Sequence, residues 1–220
     1  ASKQNPLSYL GSDIYRYIAD NLSLRGYLEF SFLKDFKFTV NASYDVFNFS
    51  STEFMSPTNG NATENGGTGS KAMQRYAAFN TNQLLTYEHD FDGHSVNVLL
   101  GHELKMDETE VLSGSMQQFY DPANPEFSNA GTITDLSSYT SGYNIQGLLS
   151  RVEYDYSDKY YLSVSFRRDG SSYFAPKVRW GNFWSVGASW RMKEETFLQD
   201  VTAIHDLKLK ASYGTQGNDA

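Results

Sequence analysis

The chain has 220 residues, of which 15% are aromatic, it contains no cysteine, and its formal net charge is −8. The lack of cysteine excludes a disulfide framework and a thiolate metal site. Acidic residues outnumber basic ones by 26 to 18, which argues against a nucleic-acid surface because phosphates are bound by clustered Lys and Arg.

The first half of the chain alternates apolar and polar residues along 22–32 and again along 36–46. A period of two residues predicts half-buried strands, and Lys34-Asp35 between them predicts a tight turn. The 16 Tyr and 15 Phe also favour strands, because aromatic side chains suit a pleated surface. Residues 6–18 would add one further strand.

The middle of the chain contains two segments rich in turn formers. Residues 60–70 predict a long flexible loop, and a hairpin follows with strands near 75–89 and 95–116 around a turn at Asp90-Phe91-Asp92-Gly93. Residues 117–142 lack a sustained period and predict a second long loop.

The last third predicts two more hairpins. Strands near 143–156 and 159–168 flank Ser157-Asp158, and strands near 184–192 and 207–213 follow. Turns are short at one end of the predicted strands and loops are long at the other, which is typical of outer-membrane barrels. The prediction is therefore an all-β fold: an antiparallel up-and-down transmembrane β-barrel portion of about eight or nine strands. A soluble β-sandwich is the alternative.

Three consecutive segments carry a family resemblance. Residues 147–218 contain, in this order, "LLSRVEYDYSDKYYLSVSFRRDGSS", "RWGNFWSVGASWRMKEETFL" and "LKLKASYGTQGN". With this series the chain resembles the SusC/RagA-type TonB-dependent transporters of the Bacteroidota outer membrane. The resemblance implies a barrel of about 22 strands around a plug domain. It also implies energy supply by TonB–ExbB–ExbD, a SusD-like surface lipoprotein as partner, and import of glycans or peptides too large for passive porins.

The resemblance also defines the expected domain content. Residues 1–220 correspond to part of the barrel domain, roughly a third of it, whereas the plug domain and the TonB-contacting segment have no counterpart. The expected function is a fragment of an outer-membrane active importer that supplies barrel wall and outer loops and contacts lipid. A soluble carbohydrate-binding sandwich and a passive porin are the alternatives.

Two groups of residues are candidates for solute contact. On the polar face of the third hairpin, the charged residues expected to face the lumen are Arg151, Glu153, Asp155 and Arg167. The hairpin register would also allow Arg167 to pair across strands with this group, which is a structural alternative. In the predicted outer loops, the aromatic candidates for contact with an oligosaccharide or peptide are Phe119, Tyr120 and Tyr139.

The segment Arg168-Asp169-Gly170-Ser171-Ser172 follows a clean alternation. An arginine pair beside Gly-Ser-Ser could hold an anion, but the favoured interpretation is structural. Arg168 is expected to end the alternation and the next four residues to lead into an outer loop, with Gly170 permitting the bend.

No enzymatic, metal or cofactor site is predicted. Two histidines flank the turn at 90–93, but the spacing does not fit a calcium loop. No nucleophile, base and orienting group come together in the sequence, which predicts a non-enzyme without cofactors.

Overall fold

The computed structural model describes residues 11–58 and 60–217. Eight strands form one sheet in chain order, and neighbours from β5 to β8 pair antiparallel. Within the described ranges, no helix is both long and apolar enough to cross a membrane. The strands are β1 (Ile14–Phe32), β2 (Phe36–Met55), β3 (Thr68–Phe91), β4 (His94–Phe119), β5 (Ala130–Tyr156), β6 (Tyr160–Ser171), β7 (Trp180–Arg191) and β8 (Lys208–Gly214). The described residues also include a short α-helix, α1 (Thr196–Gln199), and short 3-10 helices such as Gly60–Asn65.

The predicted tight turns are confirmed. Leu33 and Lys34 have φ of 50° and 64°, and Ser157 and Asp158 have φ of 52° and 56°. Positive φ at both central residues is the geometry that matches the twist of hairpin strands. The additional strand over 6–18 is not formed separately, because residues from Ile14 onward already belong to β1, whereas 6–10 lie outside the described residues.

The second predicted long loop is much shorter than expected, whereas the first has about the predicted extent, because β2 ends at Met55 and β3 begins at Thr68. Residues 117–119 extend β4 and residues 130–142 belong to β5, so the loop between them covers only 120–129. Most of 130–142 is exposed without alternation. Where both faces of a strand are exposed, apolar and polar residues need not alternate, so a search for alternation could not reveal this part of β5. The connection between β7 and β8, 192–207, is also longer than the turns at its end of the sheet, contrary to the predicted asymmetry.

The chain divides into two compact units. Among the described residues, the first comprises 11–24, 44–58, 60–78 and 107–142, and the second comprises 25–43, 79–106 and 143–217. In the first unit, Phe54, Met116 and Phe119 form a buried core. The rings of Phe54 and Phe119 meet edge to face with centroids 4.7 Å apart, a favourable aromatic geometry.

The second unit presents two chemically different faces. Its apolar face carries Val152, Val164 and Val186, which are aligned by the register of β5, β6 and β7. These residues are exposed, as are Leu162 and Phe166, each by 39–45%. Its polar face carries the alternate residues of the same strands, including Arg151 and Ser165, which are paired in register.

An aromatic belt crosses the apolar face near the short turns. Neighbouring ring centroids along it are 4.6–6.4 Å apart, within the range of attractive ring contacts. The belt reaches from β1 to β7 through Phe32, Phe36, Tyr87, His89, Phe91, His94, Tyr156, Tyr160 and Trp190.

Candidate functional site

An ion cluster of Arg167, Asp169 and Glu103 lies on the polar face of the second unit. Arg167 Nε donates to both carboxylate oxygens of Asp169, at 2.8 and 2.7 Å, and Arg167 Nη2 donates to Glu103 Oε2 at 2.6 Å. Arg167 is on β6 and Glu103 is on β4, so the guanidinium reaches across β5, the strand between them. The ion cluster thereby links side chains of β4 and β6 across the strand between them.

Gly147 on β5 is the residue over which Arg167 passes. A Cβ at this position would lie 2.8 Å from Asp169 Oδ1 and 3.1 Å from Arg167 Nη2. Any larger residue would therefore displace the guanidinium or the carboxylate. Glycine is needed here for close approach of a side chain, and its φ is not in the left-handed region.

The ion cluster is partly solvated. The side chains of Arg167, Glu103 and Asp169 are 42%, 38% and 29% exposed. Water competes for such charges, so each pair contributes at most about 1 kcal/mol. The cluster is therefore better suited to fixing the directions of its donors and acceptors than to stabilising the sheet by a large amount.

An amide row lies beside the ion cluster and consists of Asn41, Asn80 and Asn82. Asn41 Nδ2 donates to Asn82 Oδ1 at 2.7 Å, and Asn80 Nδ2 donates to Ser43 Oγ at 3.3 Å. Each carboxamide has two N–H groups and a carbonyl oxygen, so these bonds use only part of its capacity. The row can bind hydroxyl or amide groups of a solute.

The amide row and the ion cluster line one cleft of about 630 Å³. Arg25 and Lys105 add positive charge to it, and Lys105 Nζ donates to the Tyr143 hydroxyl at 3.0 Å. The cleft offers hydrogen bonds and charge without an activated nucleophile, which suits binding or passage of a polar solute.

A second cleft of about 560 Å³ lies on the polar face nearer the short turns. It is lined by carboxylates of β5, Glu153 and Asp155, and by Lys208 and Lys210 of β8. Lys208 Nζ lies 4.2 Å from the Tyr161 ring centroid, a cation–π contact. Polar side chains thus continue along this face towards the turns.

Comparison with known proteins identifies the family to which this sheet belongs. A family model described as "TonB dependent receptor-like, beta-barrel" matches residues 2–218. The chain belongs to the TonB-dependent receptor family. The eight-stranded antiparallel sheet is accordingly part of a TonB-dependent receptor barrel, as the sequence predicted.

Individual relatives support the same assignment. The chain is 27% identical to TonB-dependent receptor P26 of Formosa agariphila over 98% of its own length and 22% of the relative. It is 34% identical to TonB-dependent receptor SusC of Bacteroides thetaiotaomicron over 39% of its length and 8% of SusC. A solved structure titled "Structure of the RagAB peptide transporter" matches 94% of this chain and 24% of that one, with a TM-score of 0.86 and 23% identity, and shows the same fold.

The four predicted lumen residues all lie on the polar face of this receptor chain, but they do not form one group. Arg151 pairs with Glu153 on its own strand, and Asp155 Oδ1 accepts a hydrogen bond from the Asp158 backbone N–H at 3.2 Å. The prediction that Arg167 pairs with Arg151 or Glu153 across the hairpin is wrong. Leu149 stands opposite Arg167 in the register, and the partners of Arg167 are those of the ion cluster.

The three aromatic loop candidates have different positions. Phe119 is the last residue of β4, is only 8% exposed and packs in the core of the first unit, so its placement in an outer loop was wrong. Tyr139 lies within β5, because the loop ends at residue 129, and its ring is 57% exposed. Tyr120 lies in the loop as predicted and is 81% exposed.

The segment 168–172 does not leave the sheet where the sequence predicted. Arg168, Asp169, Gly170 and Ser171 all belong to β6, and only Ser172 lies beyond it. The alternation is also kept: Asp169 shares the polar face with Arg167, whereas Arg168 lies 5.1 Å from the Trp180 ring centroid on the other face. Ser172 Oγ accepts from the Asn144 backbone N–H at 2.8 Å, so this serine ties β6 to β5.

Three histidines near the 90–93 turn have separate partners. His89 Nδ1 lies 3.0 Å from Asp35 Oδ2, His94 Nδ1 lies 2.6 Å from the Tyr154 hydroxyl, and His102 Nδ1 lies 2.7 Å from Gln83 Oε1. Among the described residues, no group of three or more metal-ligating side chains is positioned to hold an ion.

The sequence did not identify the amide row or Gly147. Asparagine and glycine are common in strands and turns of any β protein, and their importance here depends on which strands are neighbours. Glu103 does not stand out in the sequence either, because its partner Arg167 is 64 residues away.

Proposed function

We propose that this chain forms part of the membrane-embedded wall of an outer-membrane importer for large nutrients. The observation that carries the proposal is the exposed apolar face of the second unit with its aromatic belt. A contiguous apolar surface of this kind is unfavourable in water and is matched by lipid, and aromatic belts mark membrane interfaces. Within the described residues the eight strands form one sheet, so no second sheet covers this face as a sandwich would require.

The membrane location is tested on the full-length receptor that contains this chain. After cell fractionation, it should remain in the outer-membrane fraction through carbonate washing and should require detergent for extraction. It should also migrate differently on gels before and after boiling, as folded barrels do. Recovery in the soluble fraction without detergent would contradict the proposal.

The polar face supports the transport part of the proposal. In a barrel whose apolar face meets lipid, the opposite face lines the interior, which supports the proposal of a solute path along the amide row and the ion cluster. Carboxamides bond sugar hydroxyls and peptide groups equally well, so oligosaccharides and peptides both remain proposed substrates. The exposed rings of Tyr120 and Tyr139 are proposed substrate contacts, whereas the buried Phe119 is not.

Uptake should depend on the amide row. The double substitution Asn41→Leu and Asn82→Leu removes its central hydrogen bond while keeping side-chain size, and uptake of the receptor's nutrient should fall although the receptor still assembles. Asn182→Leu is the matched control, because residue 182 pairs with Arg168 and lies away from the polar face. Normal uptake by the double variant would contradict a solute path along this face.

Active import requires partners outside this chain. The proposed partners are TonB–ExbB–ExbD, acting through the plug part of the full-length receptor, and a SusD-like surface lipoprotein. Dissipating the proton gradient or deleting TonB should abolish uptake. Uptake that persists would instead indicate a passive porin. Co-purification of a surface lipoprotein with a tagged receptor tests the second partner.

A further inference from the structure

Arg168 occupies a distinctive place on the apolar face. It continues the alternation of Leu162, Val164 and Phe166, at the end of β6 away from the aromatic belt. Its guanidinium lies 5.1 Å from the Trp180 ring centroid. Among the described residues, no carboxylate pairs with Arg168, because the adjacent Asp169 points to the polar face and is bound by Arg167.

Trp180 is held against the sheet beside Arg168. Gly170 pairs with Trp180 in the register, and a Cβ at residue 170 would lie 2.8 Å from the indole ring. The indole ring of Trp180 therefore packs over Gly170, and the guanidinium of Arg168 packs against the ring. This packing orients the arginine fork and reduces the entropy lost when it binds an anion.

A polar triad of Gln83, His102 and Gln146 lies at the same level of the sheet. Gln83 Oε1 is 2.7 Å from His102 Nδ1, and Gln146 Nε2 is 3.0 Å from His102 Nε2. The triad is continuous with the arginine site, because Gln146 pairs with Gly170 and Gly170 pairs with Trp180. Hydrogen-bonding groups thus border the apolar face at this end.

The local charge is positive in a chain whose net charge is −8. Between residues 168 and 180 the basic residues are Arg168, Lys177 and Arg179, and Asp169 is the single acidic residue. Arg167 shares its single positive charge between Asp169 and Glu103, but Arg168, Lys177 and Arg179 still leave this end of β6 and β7 net positive, so it attracts anions.

We propose that Arg168, Trp180 and Gln146 form a binding site for the phosphate-bearing sugar headgroup of a membrane glycolipid. The planar guanidinium matches a phosphate in charge and geometry, Trp180 is of the type found at membrane interfaces, and the Gln146 amide can bond sugar hydroxyls. The position between apolar residues and polar loops matches the depth of a lipid headgroup rather than that of a soluble solute. This inference rests on the proposed membrane location but not on transport.

The test compares full-length receptor variants purified from outer membranes. Bound phosphorylated glycolipid is extracted and quantified by mass spectrometry and phosphate assay, per mole of receptor. Arg168→Gln should reduce it about tenfold, since one charge-assisted contact contributes about a factor of ten in affinity. Arg151→Gln is the control because it also removes an exposed arginine, but on the polar face, and it should leave the lipid content unchanged.

Each outcome decides the proposal. Equal lipid content in Arg168→Gln and wild type would overturn it, as would displacement of the lipid by inorganic phosphate at low millimolar concentration, which would indicate a site for soluble phosphate. Heat-dependent gel migration confirms that both variants are folded. Normal nutrient uptake by Arg168→Gln, together with lipid loss, would show that the lipid site and the transport function are separate. A receptor found outside the membrane would refute the membrane location itself.

Discussion

Arg167 on β6 binds Glu103 on β4 by passing over Gly147 on the intervening strand, with 2.6 Å between Nη2 and Oε2. A glycine within a strand thus permits a contact between two residues that are 64 positions apart in the sequence. It also explains why Arg167 does not pair with a charged residue of β5: the space over Gly147 lets the guanidinium reach β4, while its Nε binds Asp169 on its own strand.

Gly147→Ala should destabilise the folded receptor by up to about 1 kcal/mol, because the new methyl group displaces the flexible ends of Asp169 and Arg167 and weakens the ion cluster. The measurement is the midpoint of urea unfolding of the full-length receptor in detergent. Gly26→Ala is the matched control, since a Cβ at residue 26 would meet nothing within 4 Å. Equal midpoints for the two variants would show that the crossing of Arg167 is not sterically tight.

The interaction free energy between Arg167 and Glu103 can be measured separately from the effect of truncating either side chain. In a double-mutant cycle of Arg167→Met and Glu103→Gln, the coupling free energy should be about 0.5–1 kcal/mol and should shrink at high salt, because both side chains are partly exposed. A coupling of zero at low salt would mean that the ion pair is not formed in solution.

Phe119 and Tyr120 are adjacent but should behave oppositely. Phe119→Ala should cost about 3–5 kcal/mol of stability, because it leaves a cavity beside Phe54 and Met116. Tyr120→Ala should change stability by less than about 0.5 kcal/mol, because its ring is 81% exposed. Thermal unfolding of the two variants checks this. A stable Phe119→Ala receptor with weakened substrate binding would restore Phe119 as a substrate contact.

The sequence predicted the strands best where one face is apolar. Val164 and Phe166 alternate with Ser165 and Arg167, and this period located β6 and its neighbours with the correct faces. It failed at 130–142, which is mostly exposed and has no regular alternation of apolar and polar residues. It also failed at Phe119, where a buried core follows a change of backbone at Gln118, whose φ is 64°. Contacts such as that of Arg167 with Glu103 depend on sheet order, which no local pattern contains.

The acid stability of the receptor should depend on Glu195, which lies between β7 and α1 outside the strands. The Tyr160 hydroxyl donates to Glu195 Oε1 at 2.5 Å and Trp190 Nε1 donates to the same oxygen at 3.0 Å, so two members of the aromatic belt share one carboxylate. These bonds, first that of Tyr160 and then that of Trp190, lower the pKa of Glu195 below its usual value of 4.5.

A lowered pKa in the folded state means that ionised Glu195 stabilises the fold. The contribution is fully present above about pH 4.5 and is lost as the pH falls through the lower folded pKa. The melting temperature of wild type should therefore exceed that of Glu195→Gln near neutral pH, and the difference should narrow below pH 4.5. Glu64→Gln, at an exposed position of the 3-10 helix Gly60–Asn65, is the control for removing a carboxylate elsewhere in the chain. If the difference in melting temperature between wild type and Glu195→Gln stayed constant across the pH range, the carboxylate charge would not stabilise the aromatic belt.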